Sequence, residues 1–179
     1  MKPLGSTLVQ LETKFFTEDF INQTINTKEL PRFEEVNFSK LEDAYWKVIL
    51  INIGIFFLIL GIAIGLVNYF MEEFSGNLGY FITIYFTLLF LVFGFSRLGF
   101  KKKGFAFRTH DVLFRSGIIA TNTIIIPYNR IQHVALHEGF ISRIFGLAKV
   151  EIFTAGASSS DLEIAGIEKE EAENIKQLL

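Results

Sequence analysis

The chain has 179 residues, half of them hydrophobic, with 21 phenylalanines, no cysteine and a formal net charge of −2. The lack of cysteine excludes disulfides, thiolate nucleophiles and cysteine-ligated metals, and the near-neutral balance carries no global signature of nucleic-acid binding. The charge is unevenly placed: residues 1–44 carry 5 basic and 8 acidic side chains, residues 101–150 carry 8 and 2, and residues 151–179 carry 2 and 7.

Residues 1–44 read as an N-terminal arm, of which residues 1–38 show no sustained period. Leu11, Phe15, Phe16 and Phe20 can share one face of a short helix, which Leu30-Pro31 interrupts. No chemistry is visible in it. Ser39-Lys40-Leu41-Glu42 fits a capping box, in which Ser and Glu satisfy orphan amides reciprocally, so a helix is expected to start there. No cleavable leader is expected, because the first apolar run follows a long polar stretch.

Two long apolar runs come next, Trp46 to Phe70 and Gly79 to Phe100, and the charges within them are Lys47 and Arg97, each close to one end. A helix rises about 1.5 Å per residue and the hydrocarbon layer is about 30 Å thick, so about 20 apolar residues cross it. A soluble core helix of that length would carry a polar stripe, and neither run does. A membrane hairpin is predicted over 45–100, with helices at about 45–70 and 79–99. The connection at 71–78 has no Lys or Arg, whereas Lys40, Lys47, Arg97, Lys101, Lys102 and Lys103 cluster on the other side. Positive residues stay on the cytoplasmic side, so both termini are expected in the cytoplasm of a multi-pass protein of the cell (inner) membrane. Trp46, Lys47, Arg97 and Lys101 to Lys103 are the expected membrane-interface residues; the lysines suffice as topology and lipid-docking determinants. Tyr45, Tyr69 and Tyr80 also lie near span ends, where aromatic belts form. Gly61 and Gly65 form a GxxxG pair for close helix packing, within the hairpin or between two copies. Neither span has an ionisable group at mid-depth, which a transporter would need.

Beyond Lys103 the pattern changes to short β-branched and aromatic runs between turn residues. Strands are predicted at Phe105 to Thr109, Val112 to Gly117, Thr123 to Tyr128, Arg130 to His137, Leu147 to Thr154 and Asp161 to Ala165. Gly139 to Gly146 reads as a helical turn, and residues 155–160 as a hairpin loop. Residues 167–179 form a terminal helix with Ala172, Ile175, Leu178 and Leu179 on one side and acidic residues in its first turns. The fold class is therefore a two-helix transmembrane hairpin plus a small mainly-β domain (101–179), a partly open barrel of antiparallel strands closed at one end by a C-terminal α-helix.

Arg130-Ile131-Gln132, Gly139, Arg143, Phe145-Gly146-Leu147-Ala148, Val150, Thr154-Ala155-Gly156 and Glu170-Glu171-Ala172 follow two membrane helices in this order. Over about Trp46 to Leu179 the chain resembles the membrane-flanked bacterial PH-like domain family (YdbS-like proteins). The resemblance implies a pleckstrin-homology-like barrel at a membrane and no agreed catalytic activity.

Candidate sites are few. His133 and His137, followed by Glu138, would face zinc together on a helix; on a strand they stand about 13 Å apart, and no metal site is expected. Ser158 to Ser160 with Asp161 lack the surroundings of a nucleophile elbow. No catalytic residue and no cofactor are expected. Arg130, Gln132 and Arg143 are candidate contacts for a ligand or partner, since Arg binds carboxylate or phosphate bidentately. The competing role for the two arginines is an internal ion pair holding the Gly139 to Gly146 turn. Arg108, Arg115 and Lys149 could extend a basic face. The expected function is a non-enzymatic interaction or assembly module at the membrane, binding its own copies or a second membrane protein. The alternative is binding of anionic membrane lipid headgroups, and a third reading is a subunit of a membrane transport or envelope-stress complex. No nucleic acid and no small-molecule substrate are implied.

Overall fold

The computed structural model of the protein describes residues 36–70, 77–155 and 161–179. The arm with Leu11, Phe15, Phe16 and Phe20, most of the 71–78 connection and the Ser158 to Ser160 loop lie outside the described residues.

Continuous apolarity gives two helices, α1 (Asp43–Phe70) and α2 (Leu78–Lys102), both long enough to cross a membrane. They pack antiparallel through a few contacts. The Tyr85 hydroxyl donates to the Phe57 carbonyl at 3.0 Å, and the two rings meet edge-to-face at 5.5 Å. Thr83 and Thr87 donate to carbonyls four residues back, so their hydroxyls are satisfied inside an apolar stretch. Val48 and Phe57 are the buried side chains of α1, and α2 has none; Ile55, Phe56, Ile59, Phe86 and Phe90 project outward. Protein covers little of this surface, as befits helices whose solvent is lipid. The last turn of α2 carries Lys101 and Lys102, where the helix dipole favours cations.

Among the described residues, seven strands build the β domain: β1 (Ser39–Lys40), β2 (Gly104–Phe107), β3 (Asp111–Ser116), β4 (Asn122–Pro127), β5 (Ile131–His137), β6 (Leu147–Thr154) and β7 (Leu162–Glu168). They form two antiparallel sheets, ordered β1-β2-β3-β4 and β5-β6-β7. A short helix α3 (Phe140–Ile144) joins β5 to β6, and the terminal helix α4 (Lys169–Leu178) closes the domain. One core unites both sheets and α4: Leu41, Val112, Phe114, Ile126, Val150, Ile152, Ile164, Ile167, Ala172 and Ile175 are buried together. This is a transmembrane hairpin joined to a PH-like, partly open barrel with a C-terminal helix.

Three expectations are corrected. Ser39 does not cap α1. It pairs with Phe105 while Lys40 pairs with Gly104, and Leu41 enters the core. The sheet partner and the burial of Leu41 outweigh a local cap, so the helix starts at Asp43. The β domain thus includes residues on both sides of the hairpin. The terminal helix starts at Lys169 rather than 167, because Ile167 completes β7 as a core residue. Leu178 is exposed, while Ala172 and Ile175 are buried.

Candidate functional site

The hairpin and the domain meet at a junction built around Gly166. Ala148 pairs with Ile167 and Lys149 with Ala165, so Gly166 is the extra residue of a bulge in β7. Its φ is +79°, a conformation that suits glycine. A Cβ there would lie 2.4 Å from Tyr45 Cγ. Only glycine therefore lets the Tyr45 ring of α1 rest on the strand. The Gly166 carbonyl accepts from Glu42 N–H at 2.9 Å, just before α1 begins.

Trp46 and Arg97 come together at the same end. The Arg97 guanidinium lies 4.7 Å from the Trp46 ring centroid and 5.9 Å from that of Phe100. Trp46 also meets Phe93 edge-to-face at 5.7 Å and Phe100 at 5.8 Å. The cluster ties the first turn of α1 to the end of α2. Lys47, Lys101, Lys102 and Lys103 are exposed around it, and Lys102 donates to the Ile118 carbonyl at 2.5 Å. Lys40, Arg97 and Lys101, with Asp43, line a groove of about 380 Å³ floored by Leu41 and Phe100. Of the GxxxG pair, Gly61 faces Tyr85 of the partner helix, and Gly65 has open space beside it.

Arg130, Gln132 and Arg143 are all exposed. Arg130 ends the 3-10 turn Tyr128–Arg130 that leads into β5. Gln132 is the extra residue of a second bulge, between the Ile131–Thr154 and His133–Phe153 pairs; bulges re-aim side chains and recur beside functional surfaces. Arg143 lies on α3. The ion pairs among the described residues do not include either arginine, so the internal pair considered for them is not formed.

The wider basic face does not assemble. Arg108 makes a two-pronged contact with Asp111, which holds its guanidinium above its ordinary range. Tyr128 donates to the Arg108 carbonyl, and burial pushes the phenol up, with Asp111 adding to it. Arg115 lies 4.0 Å over the Phe38 ring. Lys149 sits between Glu151 at 2.5 Å and Glu163 at 3.2 Å; the bond to Glu151 is the larger cause of its raised pKa. These cations are already neutralised or stacked. His133 stacks on Phe153 at 4.2 Å, and among the described residues there is no His, Asp and Glu cluster suited to a metal.

A domain of this architecture on two apolar helices defines a membrane protein with a PH-like module. The chain matches the bacterial PH domain family over residues 48–179 and belongs to it. It is 34% identical to the UPF0699 transmembrane protein YdbS of Bacillus subtilis (strain 168) over 67 residues, which make up 37% of this chain and 40% of that protein. It is 35% identical to the UPF0699 transmembrane protein YdbT of the same organism over 80 residues, 43% of this chain and 16% of that protein. The chain thus spans less than half the length of either relative in these matches. No solved structure matches it.

The groove at the junction and the extra residue at Gln132 escaped sequence reasoning. The groove needs β1 beside α2, and a bulge is visible only once β5 and β6 are in register. The one available signal was the spacing of Lys40, Arg97 and Lys101 on the flanks of the hairpin.

Proposed function

We propose that the protein is a non-enzymatic, two-span protein of the cell (inner) membrane, with both termini cytoplasmic, that holds its PH-like domain there as an interaction and assembly module. Its partner would be another copy or a second membrane protein. One observation carries the reading: β4 and β5 each form one edge of their sheet, opposite β1 and β7, and neither is covered by a further strand among the described residues, in a domain anchored to the hairpin at both β1 and β2. Edge strands accept an added strand from a partner, and Gln132 with Arg130 stands beside the β5 edge. The orientation rests on Lys40, Lys47, Arg97 and Lys101 to Lys103 against a 71–78 connection with no Lys or Arg.

A photo-crosslinking residue at Gln132 in the full chain, irradiated in native membranes, is expected to give a discrete adduct that the same residue at Thr109 does not. A monomer without adduct at either position refutes the module. A reporter fused after Leu179 should behave as cytoplasmic; periplasmic activity overturns the orientation.

A second reading, binding of an anionic lipid headgroup, is favoured by the Lys40, Arg97 and Lys101 groove rather than by the strands. Retention of anionic over zwitterionic lipid on the detergent-purified chain, lost in a Lys40→Ala, Lys101→Ala variant, tests it. Equal retention of both lipids counts against it.

A further inference from the structure

Among the described residues of the β domain, four large apolar side chains are more than half exposed: Ile119 at 95%, Phe140 at 85%, Ile144 at 68% and Leu178 at 61%. Exposed apolar residues scattered singly need no explanation. Here the three most exposed belong to two segments that adjoin the hairpin.

The first segment is the turn between β3 and β4. Gly117 has φ +116°, and a Cβ there would strike the Ala120 carbonyl oxygen, so the tight reversal requires glycine. The turn is fastened to α2: Ile118 lies against Gly99, and its carbonyl accepts from Lys102. Ile119, the next residue, is left bare. The second segment is α3, which packs on β6 and lies alongside α1. Phe140 and Ile144 are four apart and share its outer face, with exposed Arg143 between them in sequence. The carbonyl of Gly146, just past α3, accepts from Lys169 N–H at 3.0 Å, three residues beyond the Gly166 that supports Tyr45.

The first segment thus sits beside the Lys102 end of α2, and α3 is tied through Gly146, Lys169 and Gly166 toward Tyr45 at the start of α1; in a hairpin that crosses a membrane, this is the end at which the spans leave the hydrocarbon. Lys47 and Arg97 mark that level on α1 and α2. Gly99 is about 3 Å further along the helix than Arg97, while the headgroup layer on each side of a bilayer is about 5–8 Å deep. An apolar face rimmed by cations at this depth matches the chemistry of an interfacial element.

We propose that Ile119, beside α2, and Phe140 with Ile144, beside α1, insert into the headgroup and upper acyl layer of the membrane that holds the hairpin. Arg143, Lys101 and Lys103 then lie at phosphate level. The domain is seated on the lipid through this face. This inference is independent of what binds the β4 and β5 edges, and of headgroup selectivity in the groove.

The chain has no cysteine, so single substitutions Ile119→Cys, Phe140→Cys and Ile144→Cys can each carry a fluorophore, with Thr109→Cys, at the far end of the β2–β3 hairpin, as control. The full-length protein is placed in vesicles of mixed zwitterionic and anionic phospholipid. Lipid-borne nitroxide is expected to quench the labels at 119, 140 and 144 several-fold more than the label at 109, and aqueous iodide the reverse. Iodide quenching at the three sites equal to that at 109 overturns the proposal. Protection from both quenchers also overturns it, in favour of a protein cover such as residues 1–35 or a second copy. A lipid-borne photoreactive probe on the unsubstituted protein gives a check that needs no variant: label should map to 117–121 and 139–145. Its confinement to the two spans counts against insertion.

Discussion

Gly166→Ala is the sharpest test of how the hairpin is joined to the domain. A left-handed backbone costs an L-residue about 1–2 kcal/mol. The new methyl would also meet the Tyr45 ring at 2.4 and 2.6 Å and its Cβ at 2.7 Å, and overpacking of this kind costs about 1–3 kcal/mol. The sum is about 2–5 kcal/mol. Gly146→Ala is the matched control, because its φ is +67° and nothing lies within 4 Å of the added methyl; it should lose only the backbone part, about 1–2 kcal/mol. Tyr45→Ala in the Gly166→Ala background removes the obstacle, so the double variant should recover about 1–3 kcal/mol of coupling. Trp46, the sole tryptophan, lies next to Tyr45, so its emission during denaturation in detergent reads the junction itself. Equal losses for Gly166→Ala and Gly146→Ala, without rescue by Tyr45→Ala, would refute the idea that α1 rests on β7 through this glycine.

Arg97→Gln removes the cation above Trp46 and should lower the stability of the hairpin end by about 1–2 kcal/mol in the same emission assay, with Arg97→Lys intermediate. Partial burial, then the carboxylates of Glu42 and Glu168, raise the Glu171 pKa. The native state then holds that proton more tightly than the unfolded chain, so the stabilisation is present at acid pH and lost as pH rises through and just above the usual carboxylate range. Glu171→Gln should accordingly be more stable than the parent at neutral pH, with the gap closing on acidification; a gap that widens in acid contradicts the crowding of these three carboxylates.

The two helices were legible because continuous apolarity over more than a bilayer's thickness has no competing reading. The β6 and β7 runs were nearly as plain, since Val150, Ile152, Leu162 and Ile164 alternate toward one core. Two-residue β1 was not, because its partner lies beyond both spans and Ser39 with Glu42 offers a local capping pattern that tertiary pairing overrides. Arg130 and Arg143 were visible as side chains worth watching. That no ion pair among the described residues includes them was not, because distance across a sheet is not written in local order. Phe140 and Ile144 read as an ordinary glycine-bracketed turn; only their placement beside α1 gives their exposure a meaning.

The hairpin interrupts the first sheet between β1 and β2. With the proposed two-span topology, the opening strand waits, unpaired, until both spans are in the bilayer and the polypeptide has returned to the same side. Insertion itself then performs the loop closure that brings Ser39 opposite Phe105. A nascent chain stalled after one crossing would leave Leu41 without its core.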